Sequence, residues 1–443
     1  MESLLDKITR LEIEHDGLDS TLVKKKKVKL GLRNLDGTGV VAGITSKGQV
    51  KGYERDTWGH NVPIHGKLFY CGYDVEEIVN GIEEEERFGF DETVYLLLTG
   101  ELPSHDDLHI FSSELAKKRP LSERAKKIIQ FNSENNDQMG LLHAAVSALH
   151  KFDSNPKSTD IRDVTRQCIE LIAKFPTIIA YNCSVMNTGG RSFGAIIEPE
   201  EGLSTAENFL YMLNGKVPEK SLAHLFDIAL ILHAEHGGGN NSTFTVRTVS
   251  SSLTNTYMAI CAGIASLAGR LHGGANEAVM NMMEDLKKNV KDWLDEEEIY
   301  AYLDGVLEKK YHDRSGKIYG MGHPVYTVSD PREVIFKHKA SKLADSFGRI
   351  DEFRLYDKVA RLSVKLIKKK KGKNACPNVD FYSGFLYDML GIPMELFTPI
   401  FAMSRVAGWS AHRIEEIIQG KLIRPSYVSS LDDMNNYIPL EQR

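Results

Sequence analysis

The chain reads as a mainly α-helical protein. Three observations predict this. Apolar residues recur at three- and four-residue spacing through most of the chain after about residue 60, and alternating strand patterns are rare. Two segments, Leu253 to Gly269 and Leu396 to Ile418, are also apolar or small around most of their circumference. Helices of that kind belong inside a large core or at a subunit interface, because no face of them suits water. At 443 residues the chain is too long for one simple core and suits two domains, or a large one carrying an insertion.

Residues 1–60 are the least regular part. Gly31, Gly37, Gly39 and Gly43 interleave with Val40, Val41 and Ile44, which predicts short strands and turns. The run Lys24 to Lys27 reads as a solvated face or linker, with a phosphate contact as the other reading. Asp91 ahead of Thr93-Val94-Tyr95-Leu96-Leu97-Leu98, with Gly100 behind, brackets a short helix by an N-cap and a C′ glycine. Helical spacing then marks residues 140–151, 163–174, 205–214, 220–236, 255–270, 276–290, 332–347, 352–370 and 396–419. There is no short internal repeat, and no Pro/Ser-rich linker marks a boundary.

Composition narrows the function. The hydrophobic share of 42% and charged share of 26% are those of a soluble globular protein. A net charge of −6 and a pI near 6.2 provide no global basic field for nucleic acid or an anionic membrane. Cys71, Cys168, Cys183, Cys261 and Cys376 are scattered and form no C-x-x-C pair, which argues against a disulfide framework or structural zinc and fits a reducing cytoplasm. The start, Met1-Glu2-Ser3-Leu4-Leu5-Asp6, lacks the basic and apolar regions of a signal peptide. No membrane span is expected, and the expected location is cytoplasmic.

Several residues are poorly explained by structure alone. In Asp330-Pro331-Arg332-Glu333 the aspartate suits an N-cap, the proline the first helical position, and the glutamate a place three residues on. Arg332 then falls in the first turn, where a cation opposes the helix dipole. An arginine beside free helix amides instead makes a fork for a carboxylate. Arg405 lies inside an apolar helix and must be paired, most simply in a structural ion pair. Arg424, in Ile423-Arg424-Pro425, is unremarkable by itself.

His233 and His236 flank Glu235, but the spacing is not H-E-x-x-H and no Cys/His pair follows, so no metal is expected. Gly237-Gly238-Gly239-Asn240-Asn241 lets a ligand approach the backbone. It is no phosphate loop, since no Gly-Lys-Ser/Thr follows. His272 precedes Gly273-Gly274 and a helix starting near Asn276, whose N-terminus would favour a neutral ring able to donate to an enol oxygen. Asp380 could be only an N-cap. Gly320-Met321-Gly322-His323 is a glycine-flanked loop into which a flexible ligand can settle. Two imidazoles and a carboxylate are what is needed to take a proton from carbon and hold the resulting enol.

Read together, seven segments resemble the citrate synthase family in order and spacing: His233-Ala234-Glu235-His236, Leu271-His272-Gly273-Gly274, Gly322-His323-Pro324-Val325-Tyr326, Asp330-Pro331-Arg332, Pro377-Asn378-Val379-Asp380, Phe401-Ala402-Met403-Ser404-Arg405 and Ile423-Arg424-Pro425. The resemblance runs from about Gly66 to Pro425. It implies a two-domain helical fold, with a large domain of residues 1–275 and 384–443 and a small inserted domain of 276–383. It implies a homodimer packed through helices of the large domain. His272, His323 and Asp380 would be catalytic, and His236, Arg332, Arg405 and Arg424 would bind oxaloacetate, Arg424 reaching in from the other subunit. Gly320, Met321 and Gly322 would recognise the adenine of coenzyme A through their backbone. Many members carry a basic residue where this chain has Thr327. Lys371 and Lys373 could replace it, although the run Lys368 to Lys371 also reads as a solvated helix end.

The implied reaction condenses acetyl-CoA with oxaloacetate and hydrolyses citryl-CoA, with coenzyme A thioester as substrate and no separate cofactor. Pro324 also occurs in relatives acting on propionyl-CoA, so 2-methylcitrate synthesis is the alternative. A catalytically silent binding protein on the same fold is the more distant one.

Overall fold

The computed structural model describes residues 3–15, 20–34, 38–131, 137–187, 196–430 and 436–442. Gly37 and the first two residues therefore lie outside the described residues. The chain forms two compact units, Met1–Ile44 with Ile423–Arg443, and Thr45–Leu422.

Among its described residues the first unit holds two α-helices, Leu4–His15 and Ser20–Lys25. Leu4, Leu5, Ile8 and Leu11 recur at helical spacing in a stretch where the sequence predicts only strands and turns. Lys24 and Lys25 close the second helix, where ammonium groups face its carbonyl end. Lys26 donates to the Ser429 carbonyl at 2.7 Å.

The strands fall in the second unit. β1 (Gly48–Arg55), β2 (Asn61–Tyr70) and β3 (Tyr73–Asp74) form an antiparallel sheet in that order. Pairing runs from Gly48↔Tyr70 to Lys51↔Lys67, then breaks before Tyr53↔Pro63. Gly66, Leu68 and Tyr70 alternate onto the buried face. The Tyr70 hydroxyl reaches through to the carbonyl of Ile231, at 2.9 Å, and so pins the sheet to the helix Lys220–His233.

Among the helices, Phe90–Thr99 corrects one expectation. Asp91 is not its N-cap. The buried Asp227, from a distant helix, accepts from the Gly89 amide at 2.6 Å and the Phe90 amide at 3.1 Å. Burial pushes the Asp227 carboxyl up to about 8. Gly100 ends the helix with φ +91°, as expected. The helix expected over 163–174 spans Ile161–Asn187 and continues through Pro176. By length and composition it could cross a membrane, but 72% of its most apolar window is buried in the protein, as befits a core helix. Residues 248–269 carry no charge; they are broken between the helices Asn241–Ser250 and Thr256–Ala268.

Phe397–Gln419 is the central helix. It is buried along nearly its whole length and packs on Ile161–Asn187, Lys220–His233, Asn241–Ser250 and Thr256–Ala268. Its Trp409 is fully enclosed, and a ring of that size removes roughly 150–250 Å² from water, worth at most about 4–6 kcal/mol. A helix so placed can deliver a charged side chain into the interior.

Candidate active site

Arg405 is that side chain. It is fully buried, and its Nε donates to the carbonyl of His233 at 2.6 Å. Among the described residues the expected ion pair is absent, and Nη1 and Nη2 have no hydrogen-bond partner. Burial lowers its pKa to about 10, opposed by the charge of Glu235, so the guanidinium stays cationic at neutral pH. The Phe401 ring lies 4.7 Å beneath it. A buried cation with two open donors asks for an anion.

Arg332 is held differently. Asp330 caps its own helix by accepting from the Arg332 amide at 3.0 Å and also grips the guanidinium, Nε at 3.0 Å and Nη2 at 2.7 Å. Both residues are buried. Nη1 takes no part in that grip. Glu333 does not complete a capping box; burial raises its carboxyl to about 8.

His236 stands between these cations. Its Nε2 is buried without a partner among the described residues, and burial, then Arg332, His323, Arg405 and His272, hold its pKa well below the ordinary value. It is therefore a neutral ring. Its neighbour His323 meets it edge to face, centroids 4.9 Å apart. The amides of Val325 and Tyr326 donate to His323 Nδ1 at 3.0 and 3.1 Å, which places the proton of the neutral ring on Nε2.

The loop carrying His323 is tied to the one carrying Asp380. Gly322 N donates to Cys376 O at 2.8 Å, Asn378 N to Gly320 O at 2.9 Å, and Asn378 Nδ2 to Gly322 O at 3.0 Å. Gly320 and Gly322 have φ of +72° and +93°. Asp380 is the first residue of the helix Asp380–Met389, and its own amide is capped by Asn378 Oδ1 at 3.0 Å. Its carboxylate is thus not consumed as an N-cap. Burial raises it to about 6, with Arg332 and Arg405 pulling it down and Asp330 adding to the rise.

His272 lies just ahead of the helix Ala275–Asn289, yet the helix that fixes its tautomer is another one. The Ser242 amide, in the first turn of Asn241–Ser250, donates to His272 Nε2 at 3.3 Å, and Ser242 Oγ lies 3.0 Å from the same nitrogen. Nδ1 then bears the proton. Burial, followed by Arg405, lowers the ring to about 4, so it is neutral in ordinary buffers.

Beside these loops a cavity of about 300 Å³ is lined by Gly320, Met321, Asn378, Arg270, Lys317 and Lys371, among others. Gly322 and Lys373 are not among its lining residues. Lys370, next in the same lysine run, is paired instead with Asp304 and Glu308. Arg424 lies in the first unit, exposed in the segment after the last long helix. Among the described residues no three His, Cys, Asp or Glu side chains converge as a metal site.

Sequence reasoning missed Ser242, Tyr326, Arg270 and Lys317. Arg270 had a signal, since it stands two residues before His272. Tyr326 lay inside a quoted motif, but its stacking on His323, at 4.5 Å and 25°, depends on how the loop folds.

A buried arginine with two open donors, imidazoles held in one tautomer by backbone amides and a carboxylate of raised pKa are the groups gathered here. The model of the citrate synthase C-terminal domain matches residues 35–426. Citrate synthase from Haloferax volcanii is 36% identical over 388 residues, covering 85% of this chain and 93% of that one. A 2-methylcitrate synthase from Shewanella oneidensis is 35% identical over 361 residues, covering 81% and 87%. The structure of citrate synthase from Thermoplasma acidophilum, a ternary complex with carboxymethyl coenzyme A and oxaloacetate, aligns with TM-score 0.75 and 27% identity over 94% of this chain and 99% of that one. The chain belongs to the citrate synthase family. It is an enzyme of the citrate synthase type, an acyltransferase.

Proposed function

We propose that the enzyme condenses acetyl-CoA with oxaloacetate and hydrolyses the resulting citryl-CoA to citrate and coenzyme A. The observation that carries this reading is the fully buried Arg405 with both Nη groups open beside Arg332 and His236, a cradle for a small dianion. The two arginines present planar donor edges that match carboxylates.

Asp380 takes a proton from the acyl methyl group. Burial makes it a stronger base than a free aspartate while leaving it ionised at neutral pH. His272 donates from Nδ1 to the thioester oxygen as charge grows there, and Ser242 fixes the ring that does so. The enol carbon attacks the ketone of oxaloacetate, whose oxygen receives a hydrogen bond and then the proton from His323 Nε2. The two amides on Nδ1 stabilise the ring left behind. Water then cleaves the thioester. The cavity by Gly320 and Met321 would take coenzyme A, with Arg270, Lys317 and Lys371 as cations for its phosphates. Gly322 and Lys373 are further candidate contacts there. Residues 276–383 would close as a small domain over bound oxaloacetate, and Arg424 would complete the cradle of the partner subunit in a homodimer. No cofactor beyond the thioester substrate is needed.

The likeness to a 2-methylcitrate synthase favours a second reading, in which propionyl-CoA is the acyl donor. One methylene is worth only about 10–200-fold in discrimination. Initial rates of coenzyme A release with each thioester against oxaloacetate decide between them. A higher kcat/KM for acetyl-CoA supports the first reading and a higher one for propionyl-CoA the second; release with neither defeats both.

A further inference from the structure

We propose that the β1–β2 hairpin is a positioning element for His323, with Gly52 and Gly66 forming a side-chain-free notch that seats the loop Val325–Ser329. This rests on the reading that His323 acts on the ketone.

Much of the hairpin is a poor core element. Tyr53, Trp58 and Val62 are exposed. Its packing is concentrated at two places that both bear on the site. At its base, Tyr70 bonds to Ile231, and Gly48 lies so close to Glu235, the neighbour of His236, that a Cβ would stand 2.6 Å from the carboxylate. In its middle it meets the His323 loop. Lys51 pairs with Lys67, so Gly52 and Gly66 are the next positions on either strand, and the ladder breaks there.

The fit at the notch is backbone against backbone. Gly66 N donates to Ser329 O at 3.1 Å. A Cβ on Gly66 would stand 2.3 Å from that oxygen and 2.5 Å from the Tyr326 ring, and one on Gly52 would stand 2.4 Å from Val325 O. Neither glycine has the positive φ that would call for glycine on conformational grounds, so close approach is what each position requires. His65 Nδ1 lies 3.0 Å from Ser329 Oγ, and the Tyr326 hydroxyl donates to Lys67 O at 3.3 Å.

The same loop residues hold His323. Val325 touches Gly52 through its carbonyl and His323 through its amide, while Tyr326 packs on Gly66 and stacks on the His323 ring. Any added bulk in the notch must therefore move the imidazole. A displacement of about 1 Å in a reacting group can cost on the order of 10²-fold in rate.

The test uses the full-length protein with Gly52→Ala and Gly66→Ala, plus His65→Ala and Ser329→Ala, which loosen the seat without adding bulk. Trp58→Ala at the exposed hairpin tip is the control. Hydrogen exchange of the peptide spanning 324–330 is measured beside thermal unfolding, kcat and KM. The glycine variants should fold, exchange this peptide at least about tenfold faster, and lose about 10–100-fold in kcat. The loosening variants should shift exchange and kcat the same way by smaller factors, and the control should change neither. Unchanged exchange and kcat in the folded glycine variants overturn the proposal. If the glycine variants do not fold, wild-type behaviour of both loosening variants overturns it instead. Exchange needs no turnover, so a wild-type enzyme inactive on both thioesters would defeat the reading of the reaction while leaving the seating of the loop separately measured.

Discussion

Arg405 gives its Nε hydrogen to the backbone carbonyl of His233 at 2.6 Å, and among the described residues both its Nη groups are without an acceptor. Two functional segments far apart in sequence, His233–His236 and Phe401–Arg405, are thereby locked together before any ligand arrives. An unpaired cation in a protein interior opposes folding. Its retention is understandable if a ligand supplies the missing charge.

Arg405→Met should therefore separate stability from binding. Two charge-assisted hydrogen bonds at ~1.5–3 kcal/mol each predict a loss of about 10²–10⁴-fold in oxaloacetate affinity. The free variant should melt no lower than the parent, and oxaloacetate should raise the melting temperature of the parent alone. A variant that melts far lower yet still binds would make Arg405 a structural residue.

Asp380→Asn should lower kcat by about 10²–10⁴-fold or more while oxaloacetate binding, followed by calorimetry, stays within a few-fold of normal. In the proposed mechanism the carboxylate acts on the other substrate, and Asn378 rather than Asp380 caps the helix. Poor binding, or turnover near the parental rate, would remove Asp380 from the role of base.

The raised pKa of Asp380 also sets a pH dependence. The base must be ionised, so kcat/KM should fall as pH drops through about 6, and His272, near 4, should add no limb at neutral pH. For stability the sign is opposite to the usual carboxylate. A folded pKa above the unfolded 3.8 favours folding below that value and loses this contribution as pH rises through about 6. Asp380→Asn should gain stability over the parent at pH 8, with the difference fading by about pH 4 in urea unfolding. A parental activity profile flat to pH 5 would contradict the buried-base account.

How far the sequence could be read depended on whether a residue's role is local. Arg405 looks misplaced in the sequence, because an arginine inside an apolar helix must be compensated; that its two Nη groups find no hydrogen-bond acceptor among the described residues depends on how several other helices pack around it. The capping rule makes Asp91 an N-cap and, taken without the resemblance, offers the same reading for Asp380. In each case another residue, Asp227 or Asn378, supplies the cap. The neutral state of His272 was anticipated from a helix N-terminus, but the amide that acts comes from Ser242, thirty residues earlier. The hairpin contact joins residues more than 260 positions apart, for which neither periodicity nor motif leaves a trace. Pro176 would ordinarily end a helix, and the long buried helix runs through it.

Arg424 gives the last prediction. It is exposed in a segment beyond the helix Phe397–Gln419, and the proposal has it serve the other subunit of a homodimer. If it does, Arg424→Ala and Asp380→Ala homodimers should each be nearly inactive. Each lost arginine contact costs ~1.5–3 kcal/mol or more, and loss of the base removes the chemistry. In a mixed dimer the intact Asp380 of one chain would meet the intact Arg424 of the other, while the second site carries both lesions. By the two-fold symmetry of such an assembly, each mixed dimer should recover up to about half of the parental activity. Co-folding the two variants, isolating the mixed dimer by distinct tags and assaying it would check this. A mixed dimer that forms and stays inactive would mean that Arg424 serves its own chain, or no site.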